Sequence, residues 1–146
     1  MAYSGKYKPK NPSKYIGDPT KINYRSLWER KCMVMFDTNP NVIRWASEEM
    51  AIPYHSPVDR KRHRYYPDFI VELKNKDEKI ETVMIEVKPY KQTQAPKKPK
   101  RMTKTFENAA KTYLTNQAKW EAAAAVCEKR GWKFQILTEK EIYGRR

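Results

Sequence analysis

Apolar residues recur at helical spacing in two long segments of the chain. These segments predict a first helix over residues 27–37 and a second over residues 103–130, with a possible interruption at residues 115–116. Gly131 follows the second segment at the position just past a helix end that glycine favours. Thr138 has capping-box spacing to the glutamate three residues later, which predicts a short terminal helix.

Alternation of apolar and polar residues predicts strands elsewhere, because strand side chains alternate between two faces. The predicted strands cover residues 42–45, 51–55, 65–73, 82–87 and 132–136. The polar turn at residues 75–78 joins the two strongest strands, so we expect an antiparallel hairpin there. The order of helix, antiparallel strands, helix, strand and helix indicates an α/β domain with a central sheet.

Two segments of the 146-residue chain lack a regular apolar period. Residues 1–25 mix tyrosines and prolines with lysines, and we interpret them as a basic N-terminal arm that is either unstructured or in contact with nucleic acid. Residues 89–101 contain three prolines and several lysines, which predicts a loop. The pattern over residues 26–146 is that of one compact domain.

The charge of the chain indicates a polyanionic partner. The 31 lysines and arginines outnumber the 17 acidic residues, which gives a net charge of +14. Such a surface releases counterions when it neutralises phosphates, so nucleic acid is the leading candidate. Charge alone would equally suit an anionic membrane surface or an RNA–protein assembly. Because 39% of the residues are hydrophobic, the chain can form a core and wholesale disorder is not expected.

Signals for secretion and membrane insertion are absent from the sequence. No apolar run reaches the ~20 residues that a membrane span requires, and the opening residues do not resemble a signal peptide. Cys32 and Cys127 are too few for a disulfide scaffold and lack zinc spacing. We therefore expect an intracellular, soluble protein without a membrane partner, in which both cysteines are reduced core residues.

Candidate chemistry lies on the predicted hairpin. Val83 and Ile85 are expected to face the core, whereas Glu86 and Lys88 share the opposite face of the same strand. If the hairpin forms, Asp68 at the start of the partner strand reaches the same place. Two converging carboxylates make an oxygen site suited to Mg²⁺, which polarises a phosphoryl oxygen and lowers the pKa of a bound water. Lys88 could orient or deprotonate that water, or neutralise charge in the transition state.

These residues resemble the signature of the PD-(D/E)xK nucleases. Pro67-Asp68 and Glu86-Val87-Lys88 match it with 17 residues between the two acids, and Glu29 matches a helical glutamate that many members add. A wider set of segments is similar to transposon-end endonucleases of the TnsA type, over residues 26–29, 42–45, 64–69 and 86–88. The whole chain, including its lysine- and tyrosine-rich opening, most resembles the head completion nucleases of large tailed bacteriophages.

The resemblance implies a single restriction-endonuclease-like domain, with a central mixed β-sheet flanked by helices. It implies that Asp68 and Glu86 bind Mg²⁺ or Mn²⁺, that Glu29 is an accessory ligand or orienter, and that Lys88 is the catalytic lysine. Ser26 and Glu29 also have capping-box spacing, which alone would explain a glutamate at that position.

A biological role is implied by the resemblance as well. The protein would cut or trim packaged DNA during virion assembly, so that a filled head can join its tail. It would then be found in the host cytoplasm, with or without association to the virion, and its partners would be phage head, portal or neck proteins.

Basic residues near the predicted site are candidate DNA contacts. The cluster at residues 60–64 precedes Asp68, and the loop at residues 91–101 follows Lys88, so both are expected beside the site. On the second helix, the resemblance implies a polar position that faces the site. The candidates are Arg60, Lys61, Arg62, Arg64, Lys91, Lys97, Lys98, Lys100, Arg101 and Lys119.

Three other functions are compatible with the pattern. A non-catalytic DNA-binding component of the head–tail junction would keep a nuclease fold, although it has no need of clustered metal ligands. An RNA-binding or ribosome-associated protein would explain the charge and the tyrosines, and it predicts that Glu86→Ala leaves function unchanged. A transposase subunit fits less well, since 146 residues leave no room for an additional partner-binding domain.

Overall fold

The computed structural model describes residues 3–144, so Met1 and Ala2 of the predicted arm and the last two residues of the chain lie outside it. The helices are α1 (Leu27–Thr38), α2 (Lys104–Arg130) and α3 (Glu139–Ile142). Short 3-10 turns cover Pro12–Lys14 and Tyr90–Thr93. The strands are β1 (Gly5–Lys6), β2 (Asn23–Tyr24), β3 (Val42–Ser47), β4 (Ile52–His55), β5 (Arg62–Tyr65), β6 (Phe69–Lys74), β7 (Ile80–Val87) and β8 (Lys133–Leu137).

Four strands form the central sheet, in the order β3-β6-β7-β8. Neighbours among β3, β6 and β7 are antiparallel, and Phe69 pairs with Ile85 in the hairpin that the sequence predicted. β8 runs parallel to β7, with Val83 opposite Lys133. Parallel neighbours require a long crossover, which the loop after β7 and helix α2 supply. The predicted α/β domain with a central mixed sheet flanked by helices is confirmed.

The strand predicted over residues 65–73 is confirmed from Phe69 onward, but its first residues are not part of it, because the chain leaves one sheet and enters another there. Tyr65 ends β5, which pairs only with β4 in a separate two-stranded sheet, and the central-sheet strand β6 begins at Phe69. Pro67 between them has no N–H to donate to a ladder, so pairing is interrupted there. Asp68 therefore lies at the crossing point between the two sheets.

Both long helices form close to where the sequence predicted them. Ser26 caps α1 by accepting a hydrogen bond from the Glu29 N–H, and Gly131 ends α2 in the left-handed conformation, with φ +71°. The predicted interruption at residues 115–116 does not occur, since α2 is continuous. Within residues 3–144, no helix has both the length and the apolar character of a membrane span.

Both faces of the sheet are covered, and β7 shows this most directly. Val83 and Ile85 pack in the core on the α1 side, whereas Met84 packs with Trp120 and Cys127 on the α2 side. Alternate residues of one strand thus enter two different cores, as expected for a sheet with helices on both faces.

The opening segment of the chain packs on α1 through the buried carboxylate of Asp37. Asp37 Oδ2 accepts hydrogen bonds from the Tyr7 hydroxyl at 2.6 Å and the Lys10 N–H at 2.7 Å, and Oδ1 accepts from the Asn11 N–H at 2.9 Å. Burial alone would raise the pKa of this carboxyl, but these donors outweigh burial and hold the pKa below its usual value. The division of the chain at residue 25 stays a prediction; the segment before it is bound to the domain, not extended into solvent.

The same segment contacts the outer edge of strand β3. Tyr15 forms a parallel bridge with Trp45, and the Ile16 N–H donates to the Trp45 carbonyl at 2.7 Å. Tyr15 and Ile22 are buried in the same core as Trp45. Residues 7–22 therefore contribute both apolar surface and backbone hydrogen bonds to the main fold.

Candidate active site

Asp68 and Glu86 meet at one end of the β6–β7 hairpin. Asp68 stands immediately before β6, and Glu86 is the last residue but one of β7. The backbone N–H of Val87 donates to Asp68 Oδ2 at 2.7 Å, which ties the first acid to the strand that carries the second. The structure thus brings together the two acids that the spacing of the motif placed on one hairpin.

The two carboxyl groups are in electrostatic conflict. Glu86 is only 5% exposed, and its Oε2 accepts a hydrogen bond from Trp120 Nε1 at 3.4 Å. Burial, followed by the charge of Glu86, raises the pKa of the Asp68 carboxyl to about 9, against the opposing hydrogen bond from Val87. A cation held between the two groups would offset the repulsion that the charge of Glu86 exerts on Asp68.

The hydroxyl of Tyr65 faces this acid pair and was not singled out by the sequence. It is buried and makes no well-formed hydrogen bond within residues 3–144. Burial, followed by the charge of Glu86, raises the pKa of Tyr65 above its usual value. The residue ends β5 one step before the chain crosses to the central sheet, a position that no local pattern in the sequence identifies.

An open cleft of about 500 Å³ lies over the acids, and we call it the acidic cleft. Lys88 lines it directly after β7, and Lys119 lines it from helix α2. Among the described residues, neither lysine forms an ion pair with a carboxylate. The ammonium of Lys119 instead lies 5.8 Å from the ring centre of Tyr65. Both cations are therefore available to an anion that enters the acidic cleft.

Glu29 lies at the N-terminus of α1, where its carboxylate is engaged with its own helix cap. Its oxygens accept from the Arg25 N–H at 3.4 Å and the Ser26 hydroxyl at 3.3 Å. Burial raises its pKa, the Arg25 N–H opposes the shift, and the charge of Glu48 adds to it. Its charge also raises the pKa of Asp68, so Glu29 is near the acid pair although it is turned toward the cap. A role as metal ligand stays a prediction, and it requires the side chain to leave the cap.

Arg25 and Glu48 are further cleft residues that the sequence analysis missed. Arg25 Nη2 and Glu48 Oε1 form an ion pair at 3.2 Å, and both side chains line the acidic cleft. Glu48 has φ +53°, a left-handed conformation that few non-glycine residues adopt, and its N–H donates to the Asp68 carbonyl at 3.2 Å. Its place beside Asp68 depends on the pairing of β3 with β6, which the local sequence does not contain.

The candidate DNA-contacting residues lie on three segments, and of the ten only Arg64 and Lys119 line the acidic cleft. Arg60, Lys61 and Arg62 are exposed on the β4–β5 hairpin, and Arg64 on the same hairpin lines the cleft itself. The other predicted contacts are exposed on the loop between β7 and α2, and they are Lys91, Lys97, Lys98, Lys100 and Arg101. The structure thus leaves nine of these cations in solvent and gives Lys119 a half-buried place in the wall of the cleft.

The chemistry of the donor set suits a hard divalent cation. One oxygen of each acid, Asp68 Oδ2 and Glu86 Oε2, accepts a hydrogen bond from the protein, which leaves the other oxygen for a ligand. Within residues 3–144, no group of three or more His, Cys, Asp or Glu side chains is close enough to hold a metal ion. Mg²⁺ is commonly held by only one or two carboxylates, with water and substrate oxygens completing its shell. The residues present therefore fit such an ion without a third acid.

Comparison with known proteins agrees with this arrangement. The sequence profile described as "TnsA-like endonuclease N terminal" matches residues 39–139, a span that contains Asp68, Glu86 and Lys88 and begins after Glu29. The "Head completion nuclease" of Enterobacteria phage T4 is 48% identical over 143 residues, which cover 95% of this chain and 93% of that protein. The chain belongs to the family of TnsA-like endonucleases, and the phage head completion nuclease is its relative along nearly its whole length.

Proposed function

We propose that this chain is a metal-dependent nuclease that hydrolyses phosphodiester bonds in DNA, with Asp68, Glu86 and Lys88 as its reacting groups. The observation that carries the proposal is the conflict between the buried carboxyl of Glu86 and the half-buried carboxyl of Asp68 at a cleft. The same cleft is lined by Arg64 and Lys119, which suit a phosphate. Membership of an endonuclease family supports the same chemistry.

Asp68 and Glu86 are the proposed ligands of a Mg²⁺ or Mn²⁺ ion, with Glu29 as an accessory ligand once its side chain leaves the helix cap. When bound, the ion supplies Lewis-acid polarisation of a phosphoryl oxygen and lowers the pKa of water. Trp120 and the Val87 N–H hold one oxygen of each acid in place, so the ligands are oriented before the ion arrives.

Lys88 is the proposed catalytic lysine. It follows Glu86 by two residues at the end of β7, and its backbone N–H donates to the Leu137 carbonyl at 3.0 Å, which fixes the position of its backbone. Its ammonium has no carboxylate partner within residues 3–144. The group is thus available to orient the attacking water and to neutralise charge that develops on the phosphate.

The candidate basic residues are the proposed DNA contacts. The β4–β5 hairpin carries residues 60–64 and the loop after β7 carries residues 91–101. In this proposal the two segments contact DNA on opposite sides of the acidic cleft. Phosphate contacts of this kind position the duplex without reading its sequence. This arrangement would centre a phosphodiester over the two acids.

The proposed biological role follows the relative. By its name, the phage T4 protein is a head completion nuclease, and the present chain matches 93% of its length. We propose that this chain likewise cuts or trims packaged DNA during head completion, so that the head can join the tail. Its partners would be head, portal or neck proteins, and its place of action the host cytoplasm or the virion.

Cleavage of supercoiled and linear DNA by the purified protein tests the proposed activity. The reactions contain Mg²⁺, Mn²⁺ or EDTA, and the active-site variant is Glu86→Gln. A matched control is Glu81→Gln, which makes the same change on the same strand at a half-exposed position outside the acidic cleft. We expect metal-dependent products from the unmodified protein and from Glu81→Gln, and none from Glu86→Gln.

The second candidate function, a non-catalytic DNA-binding component of the head–tail junction, is favoured by the net charge of +14. It predicts DNA binding without products under any metal, and equal DNA affinity for the unmodified protein and Glu86→Gln in EDTA. That outcome would reject the nuclease. Products that appear in EDTA, or that survive Glu86→Gln, would reject the proposed metal site and leave the source of cleavage to be sought elsewhere.

A further inference from the structure

A second cavity, which we call the side recess, opens between helix α2 and the loop after β7. Its volume is about 910 Å³. Tyr90, Lys91 and Lys97 line it from the loop, and Tyr113 and Asn116 line it from the helix. It has no lining residue in common with the acidic cleft. The side recess is therefore a separate place that a ligand can occupy.

The side recess nevertheless lies next to the acidic cleft, because the same two segments of the chain line both. Lys88 lines the cleft and Tyr90, two residues later, lines the recess. On the opposite wall, Asn116 and Lys119 are separated by three residues, so they lie on one face of α2 with a rise of ~4.5 Å between them. A polymer that is bound over the acids therefore has the side recess beside it.

The lining of the side recess offers flat rings and a free amide. Asn116 is only 5% exposed, and its side-chain amide makes no hydrogen bond within residues 3–144. The ring of Tyr90 lines the recess and has the Lys140 ammonium 3.4 Å from its centre. Tyr113 adds a second ring from α2. Aromatic faces and amide groups together are the means by which proteins hold unpaired bases.

The charge of the loop selects an anionic polymer as the occupant. Residues 88–104 contain seven lysines and arginines and no acidic residue. Lys91 and Lys97 stand at the recess itself, where they can contact the phosphates on either side of a base. A base stacked within a duplex cannot enter such a recess, because it would have to leave the stack first.

We propose that the side recess binds an unpaired nucleobase of the strand that is cut, next to the reacting phosphate. This inference rests on the function proposed above and narrows its substrate class to DNA with a frayed, forked or single-stranded segment. Tyr113 and Tyr90 stack on the base, and the Asn116 amide bonds its polar edge. Duplex DNA without such a segment is bound through its phosphates alone and is cut more slowly.

The test compares initial cleavage rates on a blunt duplex and on the same duplex with a short unpaired fork at one end. The variants are Tyr113→Ala and Asn116→Leu, and Leu114→Ala on the same helix is the control because Leu114 is 49% exposed and does not line the recess. We expect the unmodified protein and the control to prefer the fork. In the two variants the preference should fall about tenfold, as the loss of one base–aromatic stack predicts, with the rate on the blunt duplex unchanged.

Binding provides a second readout that does not need activity. A fluorescent 2-aminopurine in the fork should be quenched when the unmodified protein is added in EDTA, and it should stay bright with Tyr113→Ala. Equal rates on both substrates, together with no quenching, would overturn the inference while leaving the nuclease intact. If neither substrate is cut, the proposed function fails, and the fluorescence alone decides whether the recess binds a base.

Discussion

Replacing Asp68 with asparagine is expected to stabilise the metal-free protein while abolishing cleavage. Asp68 is half-buried beside the buried Glu86, and each carboxyl group accepts a hydrogen bond from the protein. An amide at position 68 can still accept from the Val87 N–H through its oxygen, so the local contact is kept. The substitution removes the repulsion between the two acids, which should stabilise the fold. It also removes one proposed metal ligand, which should abolish cleavage.

The size of the effect follows from the pKa of Asp68. Burial and the charge of Glu86 raise that pKa from 3.8 to about 9. At pH 7 the carboxyl binds a proton when the protein folds, whereas in the unfolded chain it is ionised. Each unit of pH above 3.8 therefore lowers the free energy of unfolding by ~1.4 kcal/mol, and the upper limit of the loss at pH 7 is ~4 kcal/mol. Relaxation of the site reduces this, and we expect a gain of ~2 kcal/mol and a rise in Tm of ~6 °C.

The pH dependence has a definite sign. A carboxyl with a raised pKa binds its proton more tightly in the folded state than in the unfolded state. The stability of the unmodified protein therefore falls as pH rises from about 4 toward about 9. Asparagine does not titrate, so the advantage of Asp68→Asn should grow across that window and disappear at its acid end.

Thermal unfolding in EDTA at pH 5 and pH 8 measures the difference. Glu72→Gln is a matched control on the same hairpin, because Glu72 is paired with Arg44 at 2.6 Å and its loss should lower stability slightly or not at all. If Asp68→Asn is no more stable than the unmodified protein at pH 8, the two acids are not in conflict and the reasoning is refuted. Added Mg²⁺ should raise the Tm of the unmodified protein and not that of Asp68→Asn.

Three further changes test other parts of the structure. Lys88→Ala should abolish cleavage while DNA affinity falls only slightly, since one charge in a net +14 is a small part of binding. A parallel loss of cleavage and DNA affinity would make Lys88 a simple phosphate contact. Tyr7→Phe should lower the free energy of unfolding by ~1–3 kcal/mol in urea, because it removes a hydrogen bond to the buried Asp37, whereas Tyr3→Phe at an exposed site should have no effect. The double change Lys98→Ala with Lys100→Ala should reduce the slope of log Kd against log salt by ~2; an unchanged slope would place both lysines outside the DNA interface.

The hairpin and its two acids could be predicted because their information is local. The alternation from Val83 to Ile85 fixes which side of β7 enters the α1 core, and this also fixes the side that carries Glu86. The alternation does not show that this second face is covered as well, where Met84 is buried against α2. Coverage by a distant helix is a property of the crossover, which a short window of sequence does not contain.

The remaining parts of the site depend on long-range pairing. Glu48 reaches the acidic cleft because β3 pairs with β6. Tyr65 lies near Glu86 at the end of β5, which belongs to a different sheet from β6, so its position depends on how the two sheets are arranged. The opening residues were interpreted as a removable arm because their apolar side chains have no period. Tyr7 is buried by its hydrogen bond to Asp37 on α1, and Tyr15 by its bridge to Trp45 on the edge strand β3. Each contact is made by a single residue, so the burial leaves no periodic pattern in the sequence.

The bridge between Tyr15 and Trp45 has a consequence for solubility. β3 is an outer strand of the sheet, and such a strand presents unpaired backbone groups on which another molecule can add a strand of its own. The opening segment occupies part of that row, with the Ile16 N–H bonded to the Trp45 carbonyl. A chain that has lost its first residues would expose this edge together with the apolar surface beneath. Its characteristic failure would then be self-association into β-rich aggregates, at concentrations where the full chain stays dispersed.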